Sequence, residues 1–200
     1  MAIPASVGLI LLRVPITRVL FERGEFDPLN TQATARALGF YALGLPAFGG
    51  VRIVAQAFYA LGDTRSPVRI AMGAVALNVV FALAFMGPLS HGGLALASSC
   101  ASGANLAGLL WHLRRKLGPL GFPKILKSLA LVSVATALMA AWCVLLLSWW
   151  PASGSRWEEA GWLAVAIGGS VSLYASVSAA LRSQELSALL ALVARRQRSA

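Results

Sequence analysis

Arginine occurs in this chain where the surrounding sequence should exclude it. Arg13, Arg18, Arg36 and Arg52 all lie inside long apolar runs, and a guanidinium cannot shed its charge to escape a low-dielectric setting. At the centre of a hydrocarbon-spanning helix an arginine costs roughly 2.5–3.5 kcal/mol, while each strongly apolar neighbour returns only about 0.3–0.6. Arg13 stands near the middle of its run, so the helix that carries it is marginal alone and needs neighbours or a water-filled cavity. Arg18, closer to the end, can snorkel to the surface. Arg52, Gln56 and Tyr59 recur at i, i+4 and i+7, which is one helical face. Such a polar stripe in a membrane helix must face protein or water. The chemistry it can do is fixed counter-charge and hydrogen bonding for a polar or anionic cargo. Asn78 and Asn105 suit hydrogen bonds between helices better, and Asn78 is kept with Arg13, Arg52 and Gln56 as a cavity candidate.

Bond-breaking chemistry has no comparable set. His91 and His112 fall at opposite membrane surfaces, no acid lies at midspan, and neither a phosphate-cradling glycine loop nor metal-ligand spacing is present. No metal site, cofactor or enzymatic activity is therefore expected. Cys100 and Cys143 each sit within an apolar run and read as small buried hydrophobes.

The elements that must carry these residues follow from composition. Of 200 residues, 58% are hydrophobic and 12% charged, with mean hydropathy +0.74, against about 25% charged in ordinary soluble domains. That charge cannot coat a water-facing surface of this size. Apolar runs rather than alternation also argue against a β-barrel. At about 20 residues per crossing, the spacing predicts an all-α, polytopic membrane protein with six spans near 2–21, 33–60, 68–86, 93–112, 128–149 and 162–181. The joints carry breakers such as Gly24 with Pro28, Gly62 with Pro67, Gly87 with Pro88, and Pro151 with Gly154. Gly44, Pro46, Gly49 and Gly50 lie close enough to bend the second span beside its polar face. In the fourth, Ala95, Ser99, Gly103 and Ala107 recur every four residues and suggest a close-packing face.

The net charge of +10 does not indicate nucleic acid, because no basic stripe alternates with aromatics. Instead the cations sort by joint. Arg65, Arg69, Arg114, Arg115, Lys116, Lys124, Lys127, Arg182, Arg195, Arg196 and Arg198 fall on one side, and Arg23 and Arg156 on the other. By the positive-inside rule both termini are expected in the cytoplasm. Trp149, Trp150, Trp157 and Trp162 cluster at the opposite face, where tryptophan suits the headgroup belt. The 183–200 tail places Leu186, Leu189, Leu190 and Val193 on one face ahead of three arginines. It reads as an interfacial helix on anionic lipid or, equally, as a helical extension packed on the protein.

The joint after the second span reads Phe58-Tyr59-Ala60-Leu61-Gly62-Asp63-Thr64-Arg65-Ser66-Pro67-Val68-Arg69-Ile70. It resembles the signature between helices ten and eleven of the MurJ/MviN family, the lipid II flippases of bacterial peptidoglycan synthesis. Segments Leu20–Phe26, Tyr41–Phe48, Ala76–Val80 and Gly87–Ala97 agree in the same order. The resemblance covers about residues 3–117 by motif, and the last two spans by position and hydrophobicity.

That resemblance implies a fold and a task. The chain is similar to helices nine to fourteen of a fourteen-helix transporter: 1–117 as second-lobe helices, 118–182 as the C-terminal pair that forms the groove for a lipid tail, and 183–200 as a basic tail. The implied activity is flipping of a lipid-linked peptidoglycan precursor by alternating access, in the bacterial inner membrane, with Gly62, Asp63, Thr64, Arg65 and Pro67 as the family joint. The first lobe is absent, so the expectation is the C-terminal portion from a truncated or split coding sequence, inactive alone, with a separately encoded first lobe as a partner besides membrane lipids. Membrane potential or an ion would drive transport; which one is open. Two other readings stand beside it: an oligosaccharide-lipid or multidrug exporter of the same superfamily, or a non-transporting membrane scaffold.

Overall fold

A computed structural model describes residues 1–22, 27–89, 91–118, 122–150 and 156–180. Among these residues there are six long helices and no strand: α1 (Ala2–Phe21), α2 (Pro28–Ala60), α3 (Arg65–Leu89), α4 (His91–Leu117), α5 (Phe122–Ser148) and α6 (Arg156–Ala180). Each contains a stretch long and apolar enough to cross a membrane. In hydrocarbon a helix satisfies its own backbone donors and acceptors, so apolar runs of this length have no competing solution. The 183–200 tail lies outside the described residues.

The helices overrun the apolar spans. α2 takes in 28–32, and Gly87 and Pro88, expected as joint breakers, form the last turn of α3. Helical hydrogen bonding does not stop where hydrophobicity stops: α2, with 33 residues, is about 50 Å long at 1.5 Å per residue, against about 30 Å of hydrocarbon. It is therefore longer than the hydrocarbon layer is thick. Pro28 occupies its first turn after an extended Asp27, a position where the missing N–H costs nothing.

The chain divides into two compact units, 1–120 and 121–200. In the first, α1 runs antiparallel to α2: Ala2 lies against Gly49, Ser6 against Ala42, and Glu22 against Thr31. α2 and α4 run parallel, with Phe40 beside Gly92 and Ser99, and Phe58 beside His112. α3 returns antiparallel along α4, Phe85 meeting Gly93 and Ile70 meeting Gly108. The α2–α3 turn and the end of α4 therefore share one end of this unit, together with Arg65, Arg69, Arg114, Arg115 and Lys116.

α4 is the central post, and its composition explains why. It buries Gly92, Ala95, Ser99, Ser102, Leu109 and Leu113 in a stripe of three-, four- and seven-residue steps, and Gly93, Ala97 and Ala101 in a second. The first stripe meets α2 and the second α3. The expected every-fourth face holds only for Ala95 and Ser99. Ala107 is exposed, and a Cβ at Gly103 would meet nothing within 4 Å. Steps of four advance about 40° each around a helix with 3.6 residues per turn, so the stripe has rotated off the interface by its second step, at Gly103. Cys143 is buried, as expected, but Cys100 is exposed. Lipid serves a small apolar side chain as well as a protein interior does, so hydrophobicity alone did not place it inside.

Small residues also repair the backbone. Pro46 has no N–H to donate to the carbonyl of Ala42. The Ser6 hydroxyl of α1 donates to that carbonyl at 2.5 Å, so α2 continues through the proline without a bare acceptor in the apolar layer. Ser99 of α4 likewise donates to the Phe40 carbonyl at 2.6 Å.

In the second unit α5 packs on α6. Cys143 Sγ and Ser170 Oγ approach to 3.1 Å in a buried contact, and the Trp142 ring lies over Gly169, where a Cβ would meet Nε1 at 2.6 Å.

Candidate functional site

The motif joint is built from two helix ends. α2 stops because Gly62 adopts φ +73°, a left-handed conformation that glycine tolerates without penalty. The N–H of Gly62 then donates to Tyr59 O at 3.0 Å and that of Asp63 to Phe58 O at 3.0 Å, the Schellman pair that closes the orphan carbonyls. Asp63 immediately opens α3: its Oδ1 accepts the Ser66 N–H at 3.0 Å and its Oδ2 the Ser66 hydroxyl at 2.6 Å. Pro67, buried in that first turn, needs no donor there. Thr64 and Arg65 are exposed.

Lys116, at the end of α4, forms an ion pair with Asp63 Oδ2. The same lysine lies 5.8 Å from the centre of the Phe58 ring, and His112 stacks on that ring at 6.1 Å while its Nε2 stands 3.4 Å from Ser66 Oγ. The short α2–α3 turn is thus tied to α4 at one membrane face. Phe58, Asp63 and Ser66 all stand in the motif stretch; His112 and Lys116 join them only through folding. The signal available in sequence was an acid placed on the side that collects cations.

The Lys116 ammonium, followed by the Ser66 hydroxyl and N–H, holds the Asp63 carboxyl well below the usual carboxylate range. A depressed carboxylate contributes stability above its unfolded value and loses it as pH falls toward the folded one. Asp63→Asn keeps the helix cap but removes the ion pair, whereas Asp63→Ala removes both. The alanine variant is expected to melt lower than the asparagine variant. The wild-type advantage over Asp63→Asn should shrink only once pH falls below about 3.9. Melting curves of the detergent-solubilised protein across pH 2.5–7 check this.

The four cavity candidates do not form one cluster. Arg52, Gln56 and Tyr59 are all exposed on α2, turned away from both the α1 and α4 contacts. Arg52 lies eight residues, about 12 Å, before the α2 end that carries the joint. Arg13 belongs to another level: its side chain lies along Gly39, where an added Cβ would meet Nη1 at 3.0 Å. Gly39 is thirteen residues, about 20 Å, from Arg52 along α2. Among the described residues neither Arg13 nor Arg52 has an acidic partner within ion-pair distance. Arg18, by contrast, pairs with Glu22 at 3.5 Å. Asn78 is half-buried on α3, level with Ser99 and Cys100 by the α3–α4 register. Asn105, expected to bond across helices, has its side-chain oxygen buried without a partner. Among the described residues no group of His, Cys, Asp or Glu could hold a metal.

Arg13 and Arg52 are thus both exposed on membrane-spanning helices, at two levels, with Arg52 the nearer to the joint. The family described as "Lipid II flippase MurJ" matches residues 1–159. A probable lipid II flippase of Rickettsia prowazekii is 38% identical over 147 residues, 70% of this chain and 29% of that protein. A lipid II flippase of Burkholderia cenocepacia is 32% identical over 154 residues, 74% of this chain and 30% of that one. A solved lipid II flippase in an inward closed conformation superposes with a TM-score of 0.70 at 25% identity, covering 90% of this chain and 36% of the other. The chain spans under a third of the length of these two curated relatives. Its matched 159 residues, its all-helical membrane fold and its joint place it in one family: the chain belongs to the MurJ lipid II flippases.

Proposed function

We propose that this chain supplies one wall of a lipid II flippase that works by alternating access in the bacterial inner membrane, with both of its ends on the cytoplasmic face. A pyrophosphate-linked sugar headgroup cannot cross about 30 Å of hydrocarbon bare. It crosses in a wet cavity between two rocking halves while its lipid tail stays in the bilayer. Arg13 and Arg52 provide counter-charge on this wall, Gln56 and Asn78 provide hydrogen bonds, and the 62–67 joint fixes the cytoplasmic end of the helices that carry them. The α5–α6 pair flanks the lipid tail. The observation that carries the reading is the placement of Arg13 and Arg52: two permanent cations in membrane-spanning helices, with no acid to neutralise them among the described residues. An anionic cargo is what such cations accommodate. Membrane lipids, the lipid-linked precursor and a first lobe encoded elsewhere are the partners; membrane potential or an ion supplies the drive, and no cofactor takes part.

The test is growth of cells depleted of their own flippase. The 200 residues alone should not restore growth. Co-expression with the N-terminal remainder of the Rickettsia prowazekii relative should. Growth on the chain alone would show that no second wall is needed, and failure of both arms, with the chain present in the membrane, would sink the flippase reading.

A further inference from the structure

The exposed face of α2 that carries Arg52 and Gln56 is also an aromatic one. Tyr41, Phe48 and Tyr59 are 49%, 44% and 53% exposed, and with Arg52 and Gln56 they occupy about 80° of arc at 3.6 residues per turn. From Tyr41 to Tyr59 the face runs about 18 residues, about 27 Å, close to the hydrocarbon thickness of about 30 Å. Interfacial belts explain aromatics at the ends of a span; they do not explain Phe48, two residues past Pro46 in the middle of the helix. Phe48 is also held in place. Its ring lies back across Gly44, where a Cβ would meet Cε2 at 2.9 Å.

Aromatic rings interleaved with a guanidinium and a carboxamide have a specific use. The ring face carries partial negative charge and attracts the polarised C–H groups on one face of a pyranose. Arg52 and Gln56 offer donors and acceptors to hydroxyl, amide and phosphate oxygens. Resting on the flippase reading, we propose that Tyr41, Phe48 and Tyr59 form a stacking track for the sugars of the lipid-linked headgroup, with Arg52 and Gln56 holding its polar edge. The track gives a sugar successive ring faces along the crossing. The same rings give a bare pyrophosphate nothing to stack on.

Two probes test this with the chain in lipid nanodiscs: lipid II, and the prenyl pyrophosphate of equal tail length lacking sugars. Tyr41→Leu and Phe48→Leu should each weaken lipid II binding roughly fivefold to tenfold, the scale of one lost aromatic stacking contact. Binding of the bare pyrophosphate should stay within about twofold on the same scale. Tyr41→Phe, which keeps the ring, should bind lipid II as the unvaried chain does. Arg52→Ala should weaken both probes. Equal losses for both probes in the leucine variants, or loss in neither, would overturn the track and leave the flippase reading standing. Failure of the unvaried chain, paired with the N-terminal remainder of the Rickettsia prowazekii relative, to bind either probe would overturn both.

Discussion

Gly93→Ala should disrupt the α3–α4 pair far more severely than alanine at Gly39 or Gly103 disturbs the same unit. A Cβ at this position would stand 2.3 Å from the Phe85 carbonyl oxygen, 2.5 Å from its carbon and 3.0 Å from the Met86 nitrogen. These are backbone atoms of a neighbouring helix, so no rotamer change relieves the overlap. The two helices are joined across a single residue, 90, which leaves little slack for them to separate at that end. Overpacking a filled interior costs about 1–3 kcal/mol where side chains can shift; a backbone collision belongs at or above the top of that range. At about 2–4 °C per kcal/mol for a chain of this size, the melting temperature in detergent should fall by roughly 6 °C or more. Gly39→Ala meets only the flexible Arg13 side chain, nearest atom 3.0 Å, and should cost little. Gly103→Ala meets nothing within 4 Å and should stabilise, because alanine is a better helix former by roughly 0.5–1 kcal/mol. A fall for Gly103→Ala as large as that for Gly93→Ala would refute the two-sided packing of α4 against α2 and α3.

The second large effect is expected at Gly44, where α2 and α4 touch. A Cβ there would lie 2.6 Å from Ser99 Oγ, 2.9 Å from Phe48 Cε2 and 3.0 Å from the Ser99 backbone. Alanine must push α4 away and displace the Ser99 hydroxyl from the Phe40 carbonyl that it holds at 2.6 Å. The expected cost is about 2–3 kcal/mol, overpacking plus a lost hydrogen bond. Ser99→Ala alone loses the hydrogen bond and costs about 1 kcal/mol. Combined with Gly44→Ala it removes the nearest clash and leaves the Phe48 ring edge at 2.9 Å and the tight approach to the α4 backbone. The double variant should therefore be less destabilised than the sum of the singles, a coupling that a double-mutant cycle in detergent melting reads directly. Strict additivity would mean that the two residues do not meet.

These two glycines mark how far the sequence could be read. Both lie in segments whose family motif is visible, Tyr41–Phe48 and Gly87–Ala97, yet nothing in their spacing separates them from Gly39 or Gly103. Small residues every fourth position in α4 suggested one face; folding kept only Ala95 and Ser99 of it, in a stripe toward α2, and added a second stripe toward α3, because α4 has partners on two sides. Arg13 and Arg52 could be recognised as cations embedded in apolar sequence. Their separation of about 20 Å along α2 could not, since it follows from how α1 docks on α2. Asp63 was legible as part of a joint, but Lys116 reached it from the far end of α4, across two whole helices of chain.

What the amino-acid order determined unaided was the solvent and the number of crossings. Hydrocarbon admits few structures other than helices long enough to span it, so runs of apolar residues between charged joints specify six spans, and those cations could be counted by side before any helix was placed. Which residues touch was decided only in three dimensions. The rotation and height of one helix against another come from side-chain contacts between segments far apart in the chain, such as Ser6 with Ala42, or from close backbone approach such as that of Gly93 to Phe85. In a membrane, where lipid and protein interior are equally apolar, hydropathy carries no information about which face turns inward.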